Sequence, residues 1–112
     1  SSSVSKTLNT ILQHNSEQGG VKCGYVAGYR VAGKTGTSEK LVDSNGDGVE
    51  DYIASFLGYA PADNPKYAML MFFDTPTGDN YYGSVVAAPV FSQIMEEVLP
   101  YLEVETEYTE KI

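Results

Sequence analysis

Two dense turn signals decide most of what this chain can become: "DSNGDG" at Asp43–Gly48 and "PADNPK" at Pro61–Lys66. They separate three short segments rich in aromatic and β-branched residues, Tyr29–Thr37, Tyr52–Ala60 and Tyr67–Phe73, each of which reads as a strand. Parallel neighbours need a long crossover, commonly a helix. The connections here are too short and too turn-rich for that, so the spacing predicts an antiparallel three-strand meander. Tyr67–Phe73 is apolar at every position, which predicts a central strand covered on both faces.

Helical spacing predicts an element on each side of the strands. Ser3–Asn15 carries Val4, Leu8, Ile11 and Leu12 on one face, with serine ahead as a cap and Gly19–Gly20 as its end. Pro89 opens a second helix with Val90, Phe91, Ile94, Met95, Val98 and Leu99 inward, and Pro100 is expected to end or kink it. The predicted class is therefore α+β, an antiparallel sheet flanked by helices. Two helices cover three strands thinly, so the sheet is expected to continue into chain outside this sequence.

Charge narrows the partners. At 112 residues and a formal net charge of -8, the chain lacks the basic face that nucleic acid requires. Its acids gather at Asp43–Asp51 and at Glu103–Glu110, the latter reading as a solvated tail. The single cysteine, Cys23, cannot form an internal disulfide, and the only histidine, His14, offers it no evident partner for nucleophilic chemistry. The longest apolar run is far too short to cross a bilayer, and the polar, Ser-rich start is not expected to be a secretory leader, so any targeting segment would lie outside this sequence.

The chemistry gathers in "GYRVAGKTGTSEK", Gly28–Lys40, which supports two incompatible readings. Gly28, Gly33, Lys34 and Thr35 spell G-x-x-x-x-G-K-T, a phosphate-cradling loop, and Asp74 closes an apolar strand as a magnesium ligand would. That reading needs a helix starting at the Gly-Lys-Thr, because helix N-terminal amides hold the phosphates. Gly36 and the turn at Asp43 leave almost no room for one. Lys34, Thr35 and Gly36 also spell K-T-G, and this reading needs a strand, which is what the pattern gives. A glycine there admits a second backbone, so an extended peptide can add along the edge. Lys34 supplies positive charge, and Thr35 and Thr37 supply hydroxyls for a carboxylate. The constellation suits a peptide with a free C-terminus.

"GYRVAGKTGT", "ASFLGYAPADNPKYAMLMFFD" and "YYGSVVAAPVF" together resemble the C-terminal part of class B penicillin-binding proteins of the division and sporulation type. The resemblance covers nearly the whole chain. It implies part of a serine β-lactamase/transpeptidase-like fold, and a parent enzyme that cross-links peptidoglycan stem peptides ending in D-Ala-D-Ala and is captured by β-lactams. It implies that Lys34 is catalytic, holding the hydrogen-bond network and attracting the substrate carboxylate. Thr35 would bind that carboxylate, Gly36 would give backbone clearance, and Thr37 would pair with the substrate backbone, its amide forming half of an oxyanion hole. No cofactor and no metal are implied.

The family also requires S-x-x-K and S-x-N upstream. S-x-N is absent, and the one S-x-x-K, Ser3 to Lys6, lies far too close to the K-T-G to carry the nucleophile. Residues 1–102 are therefore expected to be the C-terminal segment of a transpeptidase domain, partnered by the part of that domain preceding them, with 103–112 an acidic tail or linker. The isolated chain is expected to be inactive. The resemblance places the parent at the extracytoplasmic face of the bacterial cell membrane, through an anchor outside this chain. The alternative is a non-catalytic module that binds peptide carboxylates. Two further segments invite a site. Asp43, Asn45, Asp47, Gly48 and Asp51 follow the start of a calcium loop, but Ala54 stands where the closing glutamate belongs, so a polar hairpin is expected. Tyr81 and Tyr82 are expected to pack rather than bind.

Overall fold

In a computed structural model, residues 1–18 and 24–106 are described. The order is α1 (Ser2–Glu17), β1 (Ala32–Glu39), β2 (Tyr52–Ala60), β3 (Tyr67–Asp74), α2 (Gly83–Val86) and α3 (Ala88–Tyr101). The strands form one antiparallel sheet in the order β1-β2-β3, so the meander and the α+β class stand. Register runs Ala32 opposite Tyr59 to Glu39 opposite Tyr52, then Ile53 opposite Asp74 to Ala60 opposite Tyr67. Cys23 lies outside the described residues, as does the end of the acidic tail.

Side-chain alternation divides the sheet into two unlike faces. Ala54, Phe56 and Ala60 of β2 point to the core face, where α3 lays Phe91, Met95 and Leu99 over them. Phe56 and Phe91 meet at 4.6 Å between ring centroids, tilted by 59°. Pro89 stands in the first turn of α3, where its absent N–H costs nothing, and Pro100 lies one residue before the end of the helix. Val104 packs back on this core, and its carbonyl accepts from the Tyr29 hydroxyl at 2.9 Å.

Three expectations need correction. β1 begins at Ala32, not Tyr29. Gly28 has φ 87° and the Tyr29 amide donates to Val26, so a turn occupies the residues assigned to the strand. β3 is an edge of this sheet and is not covered on both faces. Met69, Met71 and Phe73 pack on the core, but Leu70 and Phe72 are each 58% exposed on the opposite face. An all-apolar run contains no alternation to reveal which face has a partner. Finally, α1 does not bury Val4, Leu8 and Ile11, which remain exposed. It meets the sheet through polar groups. Asn15 Nδ2 donates to the Gly33 carbonyl at 3.2 Å, and Asn9 Oδ1 accepts from the Tyr59 hydroxyl at 2.6 Å.

Candidate active site

β1 carries the K-T-G triplet along an edge of the sheet that no other described strand pairs. Alternation sends Lys34 and Gly36 to the open face, with Leu57 and Ser55 opposite them in register. Thr35 and Thr37 turn toward the core face. Lys34 is exposed and donates to the Thr35 carbonyl at 2.6 Å. Gly36 leaves space that the Ser55 hydroxyl fills. A Cβ there would lie 2.6 Å from Ser55 Oγ, which itself donates to the Gly36 carbonyl at 3.3 Å. The four residues of interest thus share one open edge but not one face. No helix begins at Gly33-Lys34-Thr35, so the phosphate-loop reading lacks the element its chemistry needs.

The core side of this edge is closed by α2, which sequence periodicity does not reveal because four residues hold barely one helical turn. Gly83 opens it, and the Gly83 amide donates to Thr37 Oγ1 at 3.1 Å. Tyr81 stacks on Tyr52 at 3.9 Å and 10°, and tilts against Tyr82 at 4.7 Å. The three rings flank the C-terminal end of β1, where Tyr52 pairs with Glu39. Hydrogen bonding to the Glu50 carboxylate pushes the Tyr52 hydroxyl well above its ordinary pKa, and a bond to Tyr81 raises Tyr82. Tyr52 escapes a sequence reading because nothing local marks it as the partner of Tyr81. Ser3 and Lys6 are exposed on α1, and Ser3 Oγ lies 3.1 Å from Ser1 Oγ at the helix start.

The β1–β2 loop is tied at its neck. The Lys40 amide donates to the Asp51 carbonyl at 2.7 Å, and Asp51 accepts from the amide and hydroxyl of Ser44 at 2.7 and 2.6 Å. Lys40 Nζ reaches Ser44 Oγ, Asp74 and Thr75 Oγ1 at 2.9, 2.8 and 3.1 Å. Beyond the neck, Asp43 accepts from the amides of Gly46 and Gly48, both at 2.7 Å, and Asp47 from that of Val49 at 2.8 Å. These carboxylates already serve the turn. Among the described residues no three His, Cys, Asp or Glu side chains converge to hold a metal.

The Lys40 contact, aided by Thr75, holds the Asp74 carboxyl below its ordinary value of 3.8. A carboxyl depressed on folding contributes stability above its unfolded pKa and loses it as pH falls through the lower folded value. The Asp74 side-chain resonance is therefore expected to titrate below the ordinary carboxylate range, and Lys40→Met should raise its midpoint. Equal midpoints in the two proteins would remove Lys40 as the cause.

Comparison with known proteins supplies the wider frame. Residues 1–96 match the family described as penicillin binding protein transpeptidase domain. The chain is 40% identical over 105 residues to stage V sporulation protein D of Bacillus subtilis, covering 93% of this chain and 16% of that protein. It is 44% identical over 87 residues to the peptidoglycan D,D-transpeptidase FtsI of Escherichia coli, covering 78% of this chain and 14% of that protein. Its backbone superposes on the apo transpeptidase domain of Burkholderia pseudomallei penicillin-binding protein 3 with a TM-score of 0.74 and 37% identity, over 89% of this chain and 30% of that one. The transpeptidase domain of Legionella pneumophila FtsI4 D,D-transpeptidase gives a TM-score of 0.72 at 33% identity, over 88% and 36%. The chain therefore spans a small part of these curated relatives and about a third of the solved domains.

Proposed function

The chain belongs to the penicillin-binding protein transpeptidase family, and from that membership we propose that it forms one wall of the active site of a peptidoglycan D,D-transpeptidase, with its nucleophile in the rest of the domain. The observation that carries this reading is the outer β1 edge, which no described strand pairs and where Lys34 stands exposed to face substrate. In this reading Lys34 draws the carboxylate of a D-Ala-D-Ala stem peptide or a β-lactam to the edge, and Thr35 binds it. The Thr37 amide then polarises the carbonyl under attack. With penicillin, the serine oxygen adds to the lactam carbonyl, the C–N bond opens and the ring nitrogen takes up the serine proton. The enzyme works at the extracytoplasmic face of the cell membrane. No described helix is long and apolar enough to span that membrane, so an anchor would come from elsewhere.

The test is mass spectrometry of the intact transpeptidase domain carrying this chain, after incubation with penicillin. One adduct on a serine outside residues 1–112 is expected, and none on the 112-residue chain alone. An adduct within the chain, above all at Ser3, would overturn the assignment. Binding of a D-Ala-D-Ala peptide without any acylation would favour a carboxylate-binding module instead.

The uncovered face gives the reading a second support. Leu57, Leu70 and Phe72 lie exposed side by side on β2 and β3, and β3 has an unpaired outer edge among the described strands. In our reading the rest of the domain covers them. Unpaired apolar edges recruit other chains, so the 112-residue chain alone should self-associate with concentration in sedimentation experiments. A monomer with slow amide exchange along Tyr67–Phe73 would show that the edge is satisfied otherwise.

A further inference from the structure

The first amides of a helix have no partner within it, and a side chain at the N-cap commonly supplies one. The residue before α2 is Tyr82, and its side chain makes no capping bond. The amides of Val85 and Val86 both turn to the Tyr82 carbonyl. The Gly83 amide instead goes to Thr37 Oγ1, 46 positions earlier in the chain and on a different element. A strand hydroxyl thus stands where a cap belongs.

This approach depends on Gly83 being glycine. A Cβ there would run into the carbonyl oxygens of Ser55 and Gly36, so any side chain would push α2 off the sheet. Ser55 Oγ occupies the space beside Gly36 from the opposite face. The β1 segment from Lys34 to Thr37 is therefore held from both sides, by the Ser55 hydroxyl on one and by the α2 backbone on the other. Because Thr37 Oγ1 accepts the Gly83 N–H, the Thr37 side chain is tied to the α2 backbone.

We propose that Gly83 is a positioning residue for acyl transfer, whose amide holds the Thr37 hydroxyl and through it the alignment of the Thr37 backbone amide. The proposal rests on the reading of β1 as an active-site wall. Its physical basis is the narrow geometry of an oxyanion donor, for which a misplacement of about 1 Å can cost about 100-fold. Alignment of this kind serves the transition state and not the initial complex. Its loss should therefore lower the acylation rate constant and leave the dissociation constant of the first complex alone.

The experiment is stopped-flow acylation of the intact transpeptidase domain by a fluorescent penicillin, with thermal unfolding of each variant alongside. Thr37→Val, which keeps the shape and removes the acceptor, should lower the acylation rate constant about 10- to 100-fold. The dissociation constant should change by no more than about twofold. Thr37→Ser restores most of the rate. Gly83→Ala, if it folds, should show the same pattern, and the double variant Thr37→Val/Gly83→Ala should be no slower than the slower single one. If Gly83→Ala does not fold, the two Thr37 variants decide. An unchanged rate constant in Thr37→Val, a rise confined to the dissociation constant, or additive losses in the double variant would overturn the proposal while leaving the function intact. Failure of the unsubstituted domain to acylate would instead overturn the function itself.

Discussion

Replacing Lys34 with alanine should lower penicillin acylation of the intact domain about 100- to 1,000-fold, the range seen when one donor that stabilises developing charge is removed. The fold should hardly notice. Lys34 is exposed, and its ammonium group makes one bond to the backbone of the next residue, Thr35. Surface substitutions of that kind stay within about 0.5 kcal/mol. Activity and stability therefore separate cleanly at this position, which makes it the sharpest test of the site. Lys34→Arg should not restore the rate, because a planar fork does not replace a compact ammonium on a flexible stem. Stopped-flow acylation beside thermal unfolding measures both quantities. A loss smaller than about tenfold, or a matching loss of stability, would remove Lys34 from the chemistry.

Phe56→Ala should produce the largest loss of stability. Phe56 is 0% exposed and sits at the centre of the core with Phe91, Met95 and Leu99 around it. Truncating a buried phenylalanine removes its transfer free energy and leaves a cavity, at a combined cost of about 3–5 kcal/mol. That is a large fraction of what holds a small domain together. Phe56 also pairs with Thr35 across the β1–β2 ladder, so the damage reaches the edge that carries the candidate site. Urea unfolding of the intact domain measures it. A cost below about 1.5 kcal/mol would mean that Phe91 and its neighbours close the cavity.

How far the sequence could be read depended on the range of the signal. The two turn clusters forced antiparallel pairing, and Tyr52–Ala60 is the observed β2 to the residue. The triplet and the strand signal coincide at Lys34, Thr35, Gly36 and Thr37, and all four lie on β1. Tyr29 and Val31 look like strand residues and so suggest a β1 that begins three residues before the observed one, while the turn at Gly28 that displaces them depends on a backbone angle. Leu70 and Phe72 look identical to Met69 and Met71 in a run of apolar letters, and only the position of α3 separates buried from exposed. The bond from Gly83 to Thr37 and the stack of Tyr52 on Tyr81 join distant parts of the chain, and neither end carries a local pattern naming the other. The same holds for α1, whose apolar stripe suggested a buried face while Asn9 and Asn15 make the contacts.

The clamp at the base of the β1–β2 loop divides that connection into two mechanically separate parts. Lys40, Ser44 and Asp51 bind one another and, through Lys40, the end of β3. At the tip, Gly46 and Gly48 meet no neighbour within 4 Å, although both hold left-handed backbone angles, φ 75° and 78°. A change in length at the tip is therefore absorbed before it reaches the strands, because the bonds below it already determine how β1 and β2 leave the sheet. The tip is the natural position for an inserted epitope or fluorophore tag. A label between Gly46 and Asp47 would sit on the connection that joins the Lys34–Thr37 strand to its neighbour, while the strands keep their alignment.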